Sequence, residues 1–196
     1  MSYIGIIVSL VFVNNIVLSQ LIVGQPFLDI TRDTKTSLSF GLVLCALSAL
    51  CCLATWGLYH ALLRPLGLGY LQTLAFIMLI SGLTPLCDLV FAKTLPVPHG
   101  RLRAFFPLVS TNCAVLGICL ISVRSGYTAL ESLLAGAAAG AGYCLALVLL
   151  ATMREAMKKE WIPRPFRGVP ITLVSAGLMA LAFMAFDEAL LQNLLE

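Results

Sequence analysis

The side chains here with chemistry to offer are few. Seven cysteines are spread along the chain: Cys45, Cys51, Cys52, Cys87, Cys113, Cys119 and Cys144. Cysteine thiolates can ligate a metal or pair as disulfides. Yet no CxxC pair occurs, and neither His60 nor His99 stands near a cysteine at zinc-site spacing. Most of these thiols lie inside apolar runs, where cysteine also serves as a small hydrophobe. A second group is polar: Asn14, Asn15, Thr111 and Asn112 each interrupt an apolar stretch. Polar groups at membrane depth must find a partner or line a polar site. Either they hold helices together by interhelical hydrogen bonds or they line a polar functional site. Asp88, in Thr84-Pro85-Leu86-Cys87-Asp88, is an ionisable group near the end of such a stretch. It reads as an ion-path ligand or as an interfacial carboxylate that snorkels to water beside Lys93. Ser and Asp side chains without a nearby His form no nucleophile constellation. With no Gly-rich phosphate loop, NAD and flavin are expected on other polypeptides.

The elements that must position these groups follow from composition. Of 196 residues, 60% are hydrophobic and 11% charged, and the mean hydropathy is +1.01. A soluble domain is roughly 25% charged, so the balance excludes an ordinary soluble enzyme, a disordered protein and a secreted disulfide scaffold. A net charge of +3 without a basic block gives nucleic acid nothing to bind. An all-α integral membrane protein remains. Six apolar stretches, at about 3–24, 37–59, 70–92, 104–122, 128–152 and 170–190, each approach the length that crosses a bilayer. They show no period-2 alternation, and open strands leave backbone groups unsatisfied in lipid, so helices are expected throughout. The first stretch lacks a basic flank and a cleavage site, and reads as a retained span. Arg154 and Glu155, where span 5 ends, are expected to pair with a partner or with headgroups. Trp56, Tyr59, Tyr70, Tyr127 and Trp161 near span ends read as an interfacial aromatic belt.

Ten of the 12 Lys and Arg residues lie in the loops after spans 1, 3 and 5, against Arg64 and Arg124 on the other side. The positive-inside rule then puts loops 1, 3 and 5 in the cytoplasm and both termini in the periplasm. The chain also divides into halves, about 1–98 and 99–196, within one membrane domain. Asn14, Val17 and Leu18 recur as Asn112, Val115 and Leu116 at an offset of 98. A repeat of three spans must enter the membrane from opposite sides, giving two inverted three-helix repeats. Pro107 and Gly117 in span 4, and Gly24 with Pro26 after span 1, predict that spans 1 and 4 are broken or half-spanning.

Several segments resemble the RnfA/NqrE family of small membrane subunits, which serve the Rnf and the Na⁺-pumping NADH:quinone oxidoreductase (Nqr) complexes. They are "FVNNIVLSQ", "FFPLVSTNCAVLG", "REAM" and "PFRGVPITLVSAGLMALAFMAF". The first of these, with "YLQTLAF", leans toward the RnfA branch. The resemblance implies a bacterial inner-membrane subunit paired with a homologous RnfE-like subunit of opposite topology. Further Rnf subunits would carry flavin and iron–sulfur centres. It also implies a midplane [2Fe–2S] cluster on four cysteines, two from each subunit, relaying electrons across the membrane in a ferredoxin:NAD oxidoreductase coupled to ion translocation.

Carried over by residue, Cys113 matches one ligand. The other position, in Gly24-Gln25-Pro26-Phe27, holds Gln25, a weak donor for iron. Three outcomes stay open: three thiolates plus Gln25 or another donor, a different thiol such as Cys119, or no standard cluster. Cys119 lies six residues beyond Cys113, about 600° around a regular helix, so joint ligation would require a broken helix. The rival functions are a stand-alone inverted-repeat transporter of a small solute or ion, a structural subunit without redox function, and an NqrE-like subunit.

Overall fold

In a computed structural model, residues 33–94, 105–157 and 167–194 are described, together with 5, 7, 10, 11, 15, 30, 31 and 163; side chains are described to 183 in the last segment. Every regular element among them is helical: α1 (Thr34–Leu58), α2 (Gln72–Thr94), α3 (Phe105–Ser110), α4 (Cys113–Arg124), α5 (Ala129–Met157) and α6 (Val169–Leu194). They correspond to the expected spans 2, 3, 4 (in two pieces), 5 and 6. Three stretches, Thr34–Leu63, Gly69–Phe91 and Ala129–Met157, are long and apolar enough to cross a bilayer. Span 1 lies largely outside the described residues.

The helix ends follow from local chemistry. α1 runs on into a π-helical turn at Tyr59–Leu63. It stops at Gly67, which adopts φ +67° while the Leu68 N–H reaches back 3.0 Å to the Leu63 carbonyl. α4 ends the same way: Gly126 has φ +67°, and the Tyr127 N–H donates 3.2 Å to the Ser122 carbonyl. Only glycine enters this left-handed conformation cheaply, which is why both stops carry it. α5 begins with a reciprocal cap. The Thr128 N–H donates to Glu131 Oε2 at 2.9 Å, and the Glu131 N–H donates to Thr128 Oγ1 at 3.4 Å.

The largest helix–helix interface joins α1 to α5, antiparallel. Small residues let the backbones meet. A Cβ on Gly136 would stand 2.6 Å from the Ser48 carbonyl oxygen and 2.8 Å from Ala49 Cα. A Cβ on Gly140 would meet Cys45 and the Ser48 hydroxyl, and one on Gly41 would meet Cys144. Hydrogen bonds stitch the same seam: Ser48 Oγ donates to the Gly136 carbonyl at 2.7 Å and Cys45 Sγ to the Ala137 carbonyl at 3.2 Å. In lipid there is no hydrophobic drive between helices, so this close contact and these bonds carry the association.

At one end of this seam Arg154 Nη1 donates to Thr31 Oγ1 (2.7 Å), and Glu155 Oε1 accepts from the Thr34 N–H (3.0 Å). Glu155 thereby caps α1, where Asp33 makes no side-chain cap. Arg154 and Glu155, expected to pair with a partner or with headgroups, thus also bond within the chain, where Glu155 stays exposed. The Phe40–Phe105 and Phe91–Phe106 ring pairs, with centroids 5.3 and 6.1 Å apart, bring the neighbouring ends of α2 and α3 to the same side. At the opposite end Trp56 Nε1 donates to the Tyr127 carbonyl at 2.8 Å. The ends flanking loops 1, 3 and 5 therefore lie together, and those flanking loops 2 and 4 lie together.

Candidate functional site

The apolar stretch expected as span 4 does not form one helix. α3 stops at Ser110, Thr111 and Asn112 lie outside the helices, and α4 starts at Cys113. The break is built locally. Thr111 Oγ1 donates to the Pro107 carbonyl (3.2 Å), closing α3, while Asn112 is extended (φ −80°, ψ 113°) and its Oδ1 accepts from the Ala114 N–H at 3.0 Å. Asparagine is a preferred residue for this cap. The cap leaves Cys113 as the first residue of α4, with its side chain exposed. Unpaired N–H groups at a helix N-terminus carry partial positive charge, which favours an anionic group beside them.

Two further features complete the neighbourhood. Tyr143 of α5, buried and tilted against Phe40 with ring centroids 6.4 Å apart, lines a small pocket together with Ala114 and Val115 at the start of α4. Sequence reasoning missed Tyr143, because nothing in its local pattern distinguishes it from a core aromatic. The second feature is a cavity of about 310 Å³ between α2 and α3, lined by Ser81, Thr84, Pro85, Asp88, Phe106, Pro107 and Ser110. Ser81, Thr84 and Asp88 stand three and seven residues apart on one face of α2. Pro85 lies inside that helix and has no N–H, so the carbonyl of Ser81 lacks its usual helical donor. The spacing was visible in the sequence, but only the fold shows α3 completing the cavity.

The other candidates separate. Asn15 is buried (2% exposed), and its Nδ2 donates to the Gly142 carbonyl (2.9 Å) and the Val11 carbonyl (3.1 Å). It ties the first span to α5, where Gly142 admits the approach of the Leu10 and Val11 carbonyls. Asn15→Leu removes the two hydrogen bonds that Asn15 donates and should cost about 1–3 kcal/mol, read as a lower melting temperature of the purified protein; an unchanged melting temperature would count against this tether. Cys119 is fully buried, with its sulfur 3.5 Å from that of Cys52, whereas Cys113 is exposed, so the structure does not bring Cys119 beside Cys113 as a substitute thiol. Asp88 is half-buried. Asn14 and Gln25 lie outside the described residues.

Apolar helices, an interrupted span and a thiol presented at the interruption define the class: a polytopic helical membrane protein built around a discontinuous helix. Residues 3–190 match the family described as Rnf-Nqr subunit, membrane protein. The chain is 40% identical over 187 residues to the A-type component of the Na(+)-translocating ferredoxin:NAD(+) oxidoreductase complex of Acetobacterium woodii, covering 95% of this chain and 97% of that one. It is also 40% identical, over 92% of its length and 94% of the relative's, to the A-type component of the ion-translocating oxidoreductase complex of Syntrophotalea carbinolica. Against the protein of that name from Aeromonas salmonicida the identity is 39%, over 94% and 95% of the two chains. The chain belongs to the Rnf-Nqr subunit family.

Proposed function

We propose that the chain is the A-type membrane component of an Rnf-like ion-translocating ferredoxin:NAD oxidoreductase complex in the bacterial inner membrane. In this reading it relays electrons across the bilayer together with a homologous, oppositely inserted RnfE-like subunit, and it shapes part of the ion route. The observation that carries the reading is the break at Thr111-Asn112, which leaves Cys113 exposed on an otherwise apolar span.

The donor set fits a shared [2Fe–2S] centre. Cys113 offers one accessible sulfur, and among the described residues no three His, Cys, Asp or Glu side chains converge on a metal. A cluster held at Cys113 thus requires sulfur from elsewhere, foremost from the sister subunit. When bound, such a centre supplies a one-electron stepping-stone across the bilayer. The chain's own residues hold the ligand in place. Asn112 caps α4 and so sets Cys113 in its first turn. Gln25 stands where the family's second cysteine is expected, so this subunit brings a single family-position thiolate.

An inverted repeat is supported by reciprocal contacts. Gly41 lies against Cys144 and Gly140 against Cys45, and both Gly-x-x-x-Cys segments are related by an offset of 99 residues. Such mutual exchange of partners is what a two-fold axis produces. With loops 1, 3 and 5 in the cytoplasm, the cavity at Asp88 sits in the cytoplasmic half of the span pair, beside the break. Hard oxygen donors suit a small cation, and the Ser81, Thr84, Asp88 and Ser110 side chains supply them. Asp88→Asn should slow ion uptake into proteoliposomes at least tenfold while leaving the cluster signal in place. Full transport by this variant would remove Asp88 from the route.

Affinity purification from membranes tests the assignment. The tagged chain should bring down a homologous six-span partner and flavin- and iron-bearing subunits. Recovery of a stable, transport-competent protein without them would instead identify a stand-alone transporter.

A further inference from the structure

Away from the break, α1 and α4 hold two sulfurs against each other. Cys52 Sγ and Cys119 Sγ are 3.5 Å apart and both side chains are 0% exposed. This is the one cysteine pair in direct hydrogen-bonding contact among the described residues. The Thr55 hydroxyl donates to the Cys51 and Cys52 carbonyls at 2.8 and 3.0 Å, fixing the turn that carries Cys52. Cys51, one residue earlier, is buried as well.

We propose that Cys52 and Cys119 form an oxidisable pair that closes to a disulfide and covalently joins α1 to α4. The sulfurs must approach from 3.5 Å to about 2.05 Å, a shift of the order a side-chain rotation supplies. The pair is enclosed by helices in lipid, so the oxidant has to be small and uncharged, which hydrogen peroxide is. One thiol attacks the peroxide: its S–H bond and the O–O bond break, an S–O bond forms and water leaves. The neighbouring thiol then displaces that oxygen as a second water, and the S–S bond forms. Two electrons pass from the two sulfurs to one peroxide. Proximity lets the second thiol act before the first is oxidised further. The link would tie down the half-helix that starts at Cys113, about 9 Å along α4. It is independent of any cluster at Cys113.

The test uses the assembled complex in native membranes. After exposure to hydrogen peroxide, free thiols are blocked with N-ethylmaleimide under denaturing conditions, and peptides are read by mass spectrometry. A peptide pair joined through Cys52 and Cys119 should rise at least tenfold over untreated membranes and vanish on treatment with a phosphine reductant. In Cys119→Ser the joined pair should be absent, and Cys52 should instead be trapped by dimedone as the sulfenic acid. Recovery of Cys52 and Cys119 as separate maleimide adducts after peroxide, or of Cys52 joined to Cys51, would overturn the proposal. The wild-type measurement decides even if a serine variant fails to assemble.

Discussion

Cys113→Ser should abolish the electron paramagnetic resonance signal of the [2Fe–2S] centre proposed for the membrane part of the assembled complex. Electron transfer from ferredoxin to NAD should fall by at least a hundredfold. The reasoning is local. Serine keeps the size of the side chain and the Asn112 cap, in which the Asn112 side-chain oxygen accepts from the Ala114 N–H without involving the sulfur. Only the soft donor is removed, and iron in such clusters is held by thiolate. A second signature separates loss of a ligand from loss of the whole chain: the variant should still co-purify with its partners in wild-type amount. If the complex keeps its full cluster signal, Cys113 is no ligand. If the wild-type complex has no such signal at all, the chain is a structural subunit in which Gln25 marks a lost centre.

Gly140→Leu is expected to prevent accumulation of the folded protein. A Cβ at Gly140 already falls on Cys45 and 2.6 Å from the Ser48 hydroxyl. The first of these contacts includes the Cys45 backbone, which cannot rotate away. The whole helix must retreat, and with it go the Ser48–Gly136 and Cys45–Ala137 hydrogen bonds. Overpacking a tight contact typically costs about 1–3 kcal/mol, and here it adds to the lost bonds. Immunoblots of membranes should show the variant reduced at least tenfold. Gly57→Ala is the matched control, because a Cβ there meets nothing within 4 Å; it should accumulate normally. Equal amounts of both variants would mean that the α1–α5 seam does not decide stability.

Much of this architecture is legible in the residues themselves. Lipid imposes a length and a composition, so the stretches at 37–59, 70–92, 128–152 and 170–190 announce themselves and meet α1, α2, α5 and α6 within a few residues. A break in span 4 was expected from Pro107 and Gly117; it falls between them, at Thr111-Asn112, because Pro107 sits in the first turn of α3 and the Asn112 side chain caps α4. What could not be read were the contacts between distant segments. Glu155 looks like any interfacial carboxylate until α5 is laid antiparallel to α1 and it caps the Thr34 N–H. Asn15 offered two roles in the sequence, and only the fold shows the Gly142 carbonyl that its amide reaches. The cavity at Asp88 needed α3 folded beside α2. One-dimensional patterns reveal how each helix meets lipid, whereas pairings between helices depend on which faces happen to meet.

The mutual fit of Gly41 with Cys144 and Gly140 with Cys45 bears on how the polypeptide is made. Ninety-nine residues separate the two glycines, and a ribosome adding roughly 5–20 residues per second needs about 5–20 s to cover them. Through that interval the groove on the earlier helix waits without its mate. The insertion machinery, or a lipid chain lodged there, must shield it until the later half emerges.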